Sequence, residues 1–540
     1  MASDTTLADR DARELADRVE ALLAPLETEA GRAWWDASVA ASAANDERRV
    51  AAEIALTRAL ADPATFAEVG EALDALRAQE SAGGAVEALV LRRLTLLHDA
   101  MAPNQLPSDL SDRIIELGAE VDSAFSSFRG TIGDRRVNDN DIAEVLRTSD
   151  DVAERRAAWE ASKQVGALVA DRVLDLVRLR NEGARSLGYR DHFAMSLAVN
   201  ELDEDALFAT LDEVDAVTAA PFAAWKSSLD ERLATRFGCT VADLRPWHYD
   251  NVFFQSPPAE SAVDLDGWFV DADLAALTER TYAGIGIDVA ATLARSDLEP
   301  RDGKNQHAFC ADLDRSGDVR VLCNNVPNAE WAEVMLHEFG HAVYDLGVSA
   351  SLPWGLRTMH ALTTEGVAMM FEELSTDPQW LTTVRGLAPE AVDEVRPHLV
   401  AARRAGLLTI ARWVLVMTTF ERGLYADPDA DHDTRWWDLV ERFQLLTRPD
   451  DRHAPDWAAK IHLASAPVYY QNYLLGQLVA LQLRDTIDRR FGGLAANPDI
   501  GRFLDDEVFA PGASVPWHQL VADVTGHPLT ARHLSEALAR

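Results

Sequence analysis

The stretch EVMLHEFGHAVYDLG, Glu333 to Gly347, sets two histidines and a glutamate where aliphatic residues would pack better. His337 and His341 lie four residues apart. On a helix with about 3.6 residues per turn, both imidazoles leave one face and can converge on a single ion. Zinc held by two histidines needs a third protein ligand and, for catalysis, an open position for water. Glu365 answers that need. It stands 24 residues beyond His341 in TMHALTTEGVAMMFEELS, among apolar neighbours that would make an unpaired carboxylate costly. The competing reading makes Glu365 a first-turn charge on a helix begun by Thr363 or Thr364. Glu338, next to the first histidine, is the natural base. Zinc lowers the pKa of water to about 7, and Glu338 would take that proton and return it to a departing amine. This chemistry hydrolyses a peptide bond. Glu372, two turns beyond Glu365, is suited to fixing the tautomer of a ligand histidine.

The elements around these residues are mostly helical. Asn328 is a good N-cap and Gly347 a stop signal, so the HExxH segment reads as a helix. LADRVEALLAPL, RRVAAEIALTRAL and VADRVLDLVRLRNEGARSLG carry helical periodicity and place helices throughout the first half. GCTVADLRPWHYDNVFFQSPPAES breaks that pattern with Pro, Gly and aromatics. NQHAFCADLDRSGDVRVLCNN reads as a β-hairpin immediately before the HExxH helix. Helical periodicity resumes after Thr358. ADPDADHD, with Asp427, Asp429, Asp431 and Asp433, lacks the glycine of a calcium loop and reads as a solvated acidic turn.

Composition excludes several classes of partner. A formal charge of −38 and a pI near 4.6 disfavour nucleic acid and anionic membranes, which need a basic surface. Even LLTIARWVLVMTTF is interrupted by Arg412, so no membrane span is expected. The charged N-terminal stretch lacks a secretory signal. Three cysteines, Cys239, Cys310 and Cys323, suit reduced thiols and a cytoplasmic location.

Attack on a carbonyl also requires a donor for the developing oxyanion. WAAKIHLASAPVYYQNYLLGQL offers Lys460, His462, Tyr469, Tyr470 and Tyr473, although aromatics at such spacing are also ordinary packing residues.

Together these residues resemble the angiotensin-converting enzyme family, the peptidyl-dipeptidase A zinc peptidases. The resemblance rests on HEFGH followed by Glu365, on QHAFCADL thirty residues upstream of the first histidine, and on KIH with YQNY downstream. WWDASVAASAANDERRVAAE, NEGARSLGYRDHF and RWWDLVERFQ extend it over most of the chain. It implies a mainly α fold, a large helical ellipsoid split by a deep substrate channel, with a small β-hairpin beside the zinc helix. Residues 1–540 would form a single peptidase domain, with 1–100 a helical lid region and 101–540 the channel-forming body. By the same resemblance, His337, His341 and Glu365 hold one Zn2+ per chain and Glu338 is base and acid. Tyr473, assisted by His462, stabilises the oxyanion. His307 and the Ala308 backbone align short peptides as an added strand. Lys460 and Tyr470, with Gln255, capture a C-terminal carboxylate, so the enzyme releases C-terminal dipeptides. Glu372 or Asp345 supports the ligands from behind, and a self-contained unit implies a monomer.

The chain departs from the family pattern in places. His462 and Tyr473 are one residue further apart, leaving Tyr470 as an alternative donor. Gln471 or Asn472, and Val440, stand at arginine positions of the family's chloride sites, so chloride activation is not expected. Met369 replaces the carboxylate four residues after the glutamate ligand. HEFGH with Glu372 equally resembles the thimet oligopeptidase and oligoendopeptidase relatives, which cut internally. An inactive peptide-binding relative is a third reading; it would need loss of the base or a ligand, and all four residues are present.

Overall fold

The computed structural model describes residues 7–258 and 263–539. Among them are twenty-one α-helices and two two-stranded antiparallel sheets, a mainly α fold. No helix among the described residues is long and apolar enough to cross a membrane. The chain divides into two compact units. One comprises Met1–Gln105, Asp264–Val395 and Leu475–Leu529; the other comprises Leu106–Val263, Arg396–Leu474 and Thr530–Arg540.

The first unit contains the HExxH helix, Ala329–Gly347. Asn328 caps it by accepting from the Trp331 amide, and Asp266 accepts from Ala329. Those bonds satisfy amide groups that a helix start leaves orphaned. The buried face, Met335, Leu336, Phe339, Ala342 and Val343, follows helical periodicity. Tyr282 donates to the Leu336 carbonyl at 2.8 Å from inside the core.

Against this helix packs Ala361–Glu372, which brings Glu365. Gly340 permits the approach: a Cβ there would lie 2.7 Å from the Ala368 Cα. On the other side of the second helix, an added Cβ at Gly366 would strike Val479 Cγ1 at 2.4 Å. Gly340 thus sets how near the two ligand-bearing helices can come, and Gly366 how near the second comes to the helix of Val479.

The expected hairpin is present, with Phe309–Asp312 paired to Val319–Leu322. Lys304, fully buried at its side chain, secures the approach to it by donating to the carbonyls of Asp297, Glu299 and Cys323. The N-terminal helix Leu7–Val39 rests on the hairpin through a Trp34–Phe309 ring contact at 4.2 Å and a bidentate Arg315–Glu27 pair. Further along it, Ala12, Ala16, Val19 and Leu23 pack against Val69, Leu73, Val90 and Leu94.

In the second unit the long helix Val152–Ser186 organises the loop that the Pro and aromatic residues predict. Arg155 donates to the Trp247 carbonyl, and Trp159 and Lys163 both donate to that of Val252. Arg412, which interrupts the most apolar run, is buried and pairs with Asp215 at 2.5 Å while donating to the Phe443 carbonyl. Asp431 caps the helix His432–Gln444, so the acidic tract ends as a helix start.

One element departs from the all-helical expectation for the first half. Gly130–Ile132 and Arg135–Val137 form a small hairpin whose turn puts Gly133 at φ +58°. Three-residue strands are too short to print an alternating pattern in the sequence.

Two glycine substitutions test this packing account. Gly340→Ala should destabilise the fold by about 1–3 kcal/mol, because the clash is with backbone. Gly118→Ala, where an added Cβ meets nothing within 4 Å, should be neutral or stabilising by up to about 1 kcal/mol. Equal melting temperatures for the Gly340→Ala variant and the parent would contradict it.

Candidate active site

His337 and His341 present their rings edge to face, with centroids 4.9 Å apart. Their Nε2 atoms are 3.2 Å from each other, and His337 Nε2 is 3.9 Å from Glu365 Oε2. One ligand atom from each of the three residues lies within 4.8 Å of the others. Glu365 occupies the second turn of its helix, which starts at Ala361 with His360 as the cap. The start signal is therefore not Thr363 or Thr364.

The opposite ring nitrogens are already engaged. His337 Nδ1 meets Glu372 Oε2 at 2.6 Å, and His341 Nδ1 meets Thr364 Oγ1 at 2.6 Å. With a proton on each Nδ1, both Nε2 lone pairs face one another, an arrangement that needs a cation between them. Burial pulls the His337 pKa down, but the Glu372 hydrogen bond and charge outweigh it and leave His337 at about 9. Burial and the neighbouring imidazolium drive His341 down to about 3. A divalent ion bound there would compete with protonation of His337, the usual linkage for histidine sites. Two imidazole nitrogens and a carboxylate are a fitting donor set for zinc.

Glu338 is buried beside this group and accepts a hydrogen bond from the Cys310 amide of the hairpin. Burial pushes its carboxyl up to about 7, with His337 opposing and Glu365 adding. Ala308 immediately precedes the same strand, and exposed His307 is tied to Asn305 through its amide. Of the two carboxylates expected behind the ligands, Glu372 reaches His337. Asp345 instead lies 3.7 Å from Cys310 Sγ. Thr364 was missed by sequence reasoning. Its only signal is a hydroxyl one residue before Glu365 on the same helix.

The remaining candidates cluster in the second unit. Lys460 donates to Gln255 Oε1 at 2.7 Å, and its Nζ lies 5.3, 5.5 and 5.4 Å from the rings of Phe253, Trp413 and Tyr470. Burial alone draws its pKa down to about 8. No carboxylate pairs with it among the described residues. A largely desolvated ammonium without a counter-charge is costly unless a ligand supplies one. His462 packs on Tyr470 at 4.9 Å, and Tyr470 on Tyr473 at 5.5 Å. Burial and Lys460 lower the His462 pKa to about 4, so the ring is neutral at pH 7 and carries one N–H. Tyr473 is 38% exposed. The three cysteines are free thiols.

Comparison with protein-family models matches residues 290–540 to peptidase family M3 and residues 7–219 to angiotensin-converting enzyme. No curated protein matches the chain.

Glu372→Ala removes the acceptor that orients His337. Affinity for Zn2+, measured by competition with a chromophoric chelator, should fall about 10–100-fold. Unchanged affinity would show that the His337–Glu372 bond does not prepare the site.

Proposed function

We propose that this chain, a metallopeptidase related to the angiotensin-converting enzyme family and peptidase family M3, is a zinc-dependent peptidyl-dipeptidase that releases C-terminal dipeptides from short peptides. The observation that carries the reading is the convergence of His337, His341 and Glu365 next to the buried Glu338. His337, His341 and Glu365 would hold the ion. A bound zinc supplies Lewis-acid polarisation of a carbonyl and acidification of water to a pKa of about 7.

The protein's own groups supply the rest. Glu338, with a carboxyl poised at about 7, takes a proton from the attacking water and delivers it to the departing amine. The neutral His462 ring and the Tyr473 hydroxyl donate to the developing oxyanion, with Tyr470 the alternative donor. The strand after Ala308 receives the substrate backbone beside His307. Lys460, oriented by Gln255 and flanked by Tyr470, captures the terminal carboxylate. The carboxylate supplies the missing counter-charge, which is why an anchored dipeptide end is favoured over an internal one. Free thiols suit a reducing cytoplasm, and the proposed assembly is a monomer with residues 1–100 as its lid.

One observation favours a second reading, an endo-acting oligopeptidase. The family M3 match spans the HExxH helix, Glu365 and Lys460 through Tyr473, and Glu372 is bonded to His337. Product mass spectrometry on one short peptide, with a free and with an amidated C-terminus, separates the two. The dipeptidase reading expects stepwise loss of two residues from the free peptide alone, abolished by chelator. Equal internal cuts in both peptides would overturn it.

The Lys460 reading also fixes a pH dependence. Lys460 carries its charge below about 8 and loses it above. KM for the free peptide should therefore rise as pH passes about 8, and Lys460→Met should raise it about tenfold or more at pH 7. A KM flat across that range, and unchanged in the variant, would remove Lys460 from carboxylate capture.

A further inference from the structure

Lys460, His462 and Tyr470 share one stretch with little regular structure, and Tyr473 sits in the first turn of the helix that follows it. A turn at Asp456–Ala459 leads to the four-residue helix His462–Ser465, and the chain then breaks before the helix Gln471–Phe491. Such a segment cannot hold aromatic side chains in place by its own helical hydrogen bonds. Its fixed points come from elsewhere in the same unit. Arg180 donates to the carbonyls of Leu463 and Ala464.

The break itself is strained. Val468 has φ +55°, in the left-handed region that a β-branched residue enters only at a cost. Such a conformation persists when its surroundings over-determine it. Here two side chains do so. The Glu421 carboxyl accepts from the Val468 amide at 2.7 Å, and Gln471 Nε2 donates to the Val468 carbonyl at 2.6 Å. Glu421 comes from the helix Pro389–Ala426 and is 2% exposed. Burial raises its pKa to about 8, with the Val468 amide hydrogen bond and then Arg180 opposing. Packing does not require a carboxyl there, since methionine would fill the space without a polar group to desolvate. Its use is the acceptor it offers to one strained amide.

We propose that Glu421 is a positioning residue: by holding Val468 in the left-handed turn, it sets the direction in which Tyr470 leaves that turn toward the peptide and in which the helix carrying Tyr473 starts. The inference rests on the peptidase reading given above.

The test uses the full-length zinc-loaded protein and a short peptide with a free C-terminus. Glu421→Gln keeps a carbonyl acceptor and should leave kcat/KM within about twofold of the parent. Glu421→Met removes the acceptor and should lower kcat/KM about tenfold or more, with zinc content unchanged. Glycine enters positive φ without penalty. Adding Val468→Gly to Glu421→Met should therefore recover most of the loss, whereas Val468→Gly alone should change kcat/KM by no more than about twofold. A merely structural role for Glu421 would give no such rescue, because Val468→Gly removes packing and adds none. Glu421→Met kinetics equal to the parent, or a double variant no better than Glu421→Met, overturn this inference alone. A zinc-loaded parent that cleaves no peptide overturns the peptidase reading and this inference with it.

Discussion

Two imidazole nitrogens held 3.2 Å apart, with their opposite ring atoms already bonded, are the constraint on which the site depends. Lone pairs so disposed repel unless a proton or a metal ion lies between them. The cost of holding them is met by ordinary helix packing: a capped helix start at Asn328, a backbone approach at Gly340, and a buried Tyr282 hydroxyl on the Leu336 carbonyl. Glu372 and Thr364 come from the neighbouring helix, the same one that carries Glu365. One helix therefore supplies the third ligand and also aims the first two. This is why those two helices meet closely enough to require Gly340.

The treatment of positive charge makes a related point about the second unit. The chain has only four lysines, and all four are buried. Lys226 is paired with Asp230, and Lys304 with Asp297 and three carbonyls. Lys163 donates to the Val252 carbonyl, lies 3.2 Å from the Phe253 ring centroid and feels the charge of Asp456. Lys460 has no carboxylate partner among the described residues, where the Gln255 amide oxygen and aromatic rings surround its ammonium. In a chain carrying −38, a buried cation with no carboxylate partner among the described residues is costly, and an anionic ligand group would offset that cost.

Much of this was legible in the sequence because it rests on short-range rules. The i, i+4 histidines, the Asn328 cap and the Ser-Gly hairpin are local patterns that the structure reproduces, whereas Gly347 is the last helical residue, close against Phe509, and extended Val348 caps the helix. Lys460 with Gln255 was reached only through family resemblance, since 205 residues separate them. What stayed hidden is long-range. Nothing local marks Thr364 as the partner of His341, or turns Asp345 toward Cys310. The hairpin at Gly130–Val137 was hidden by its shortness. The strained turn at Val468 was hidden because valine advertises a strand, not a positive φ, and the residue that secures it lies 47 positions earlier.

The central claim is that one divalent ion is held by His337, His341 and Glu365. X-ray absorption at the zinc edge of the loaded protein tests it most directly. The account predicts a first shell of two imidazole nitrogens with oxygen and no sulfur, and loss of one oxygen ligand in Glu365→Ala. A thiolate in the shell, or a spectrum identical in Glu365→Ala, would contradict it.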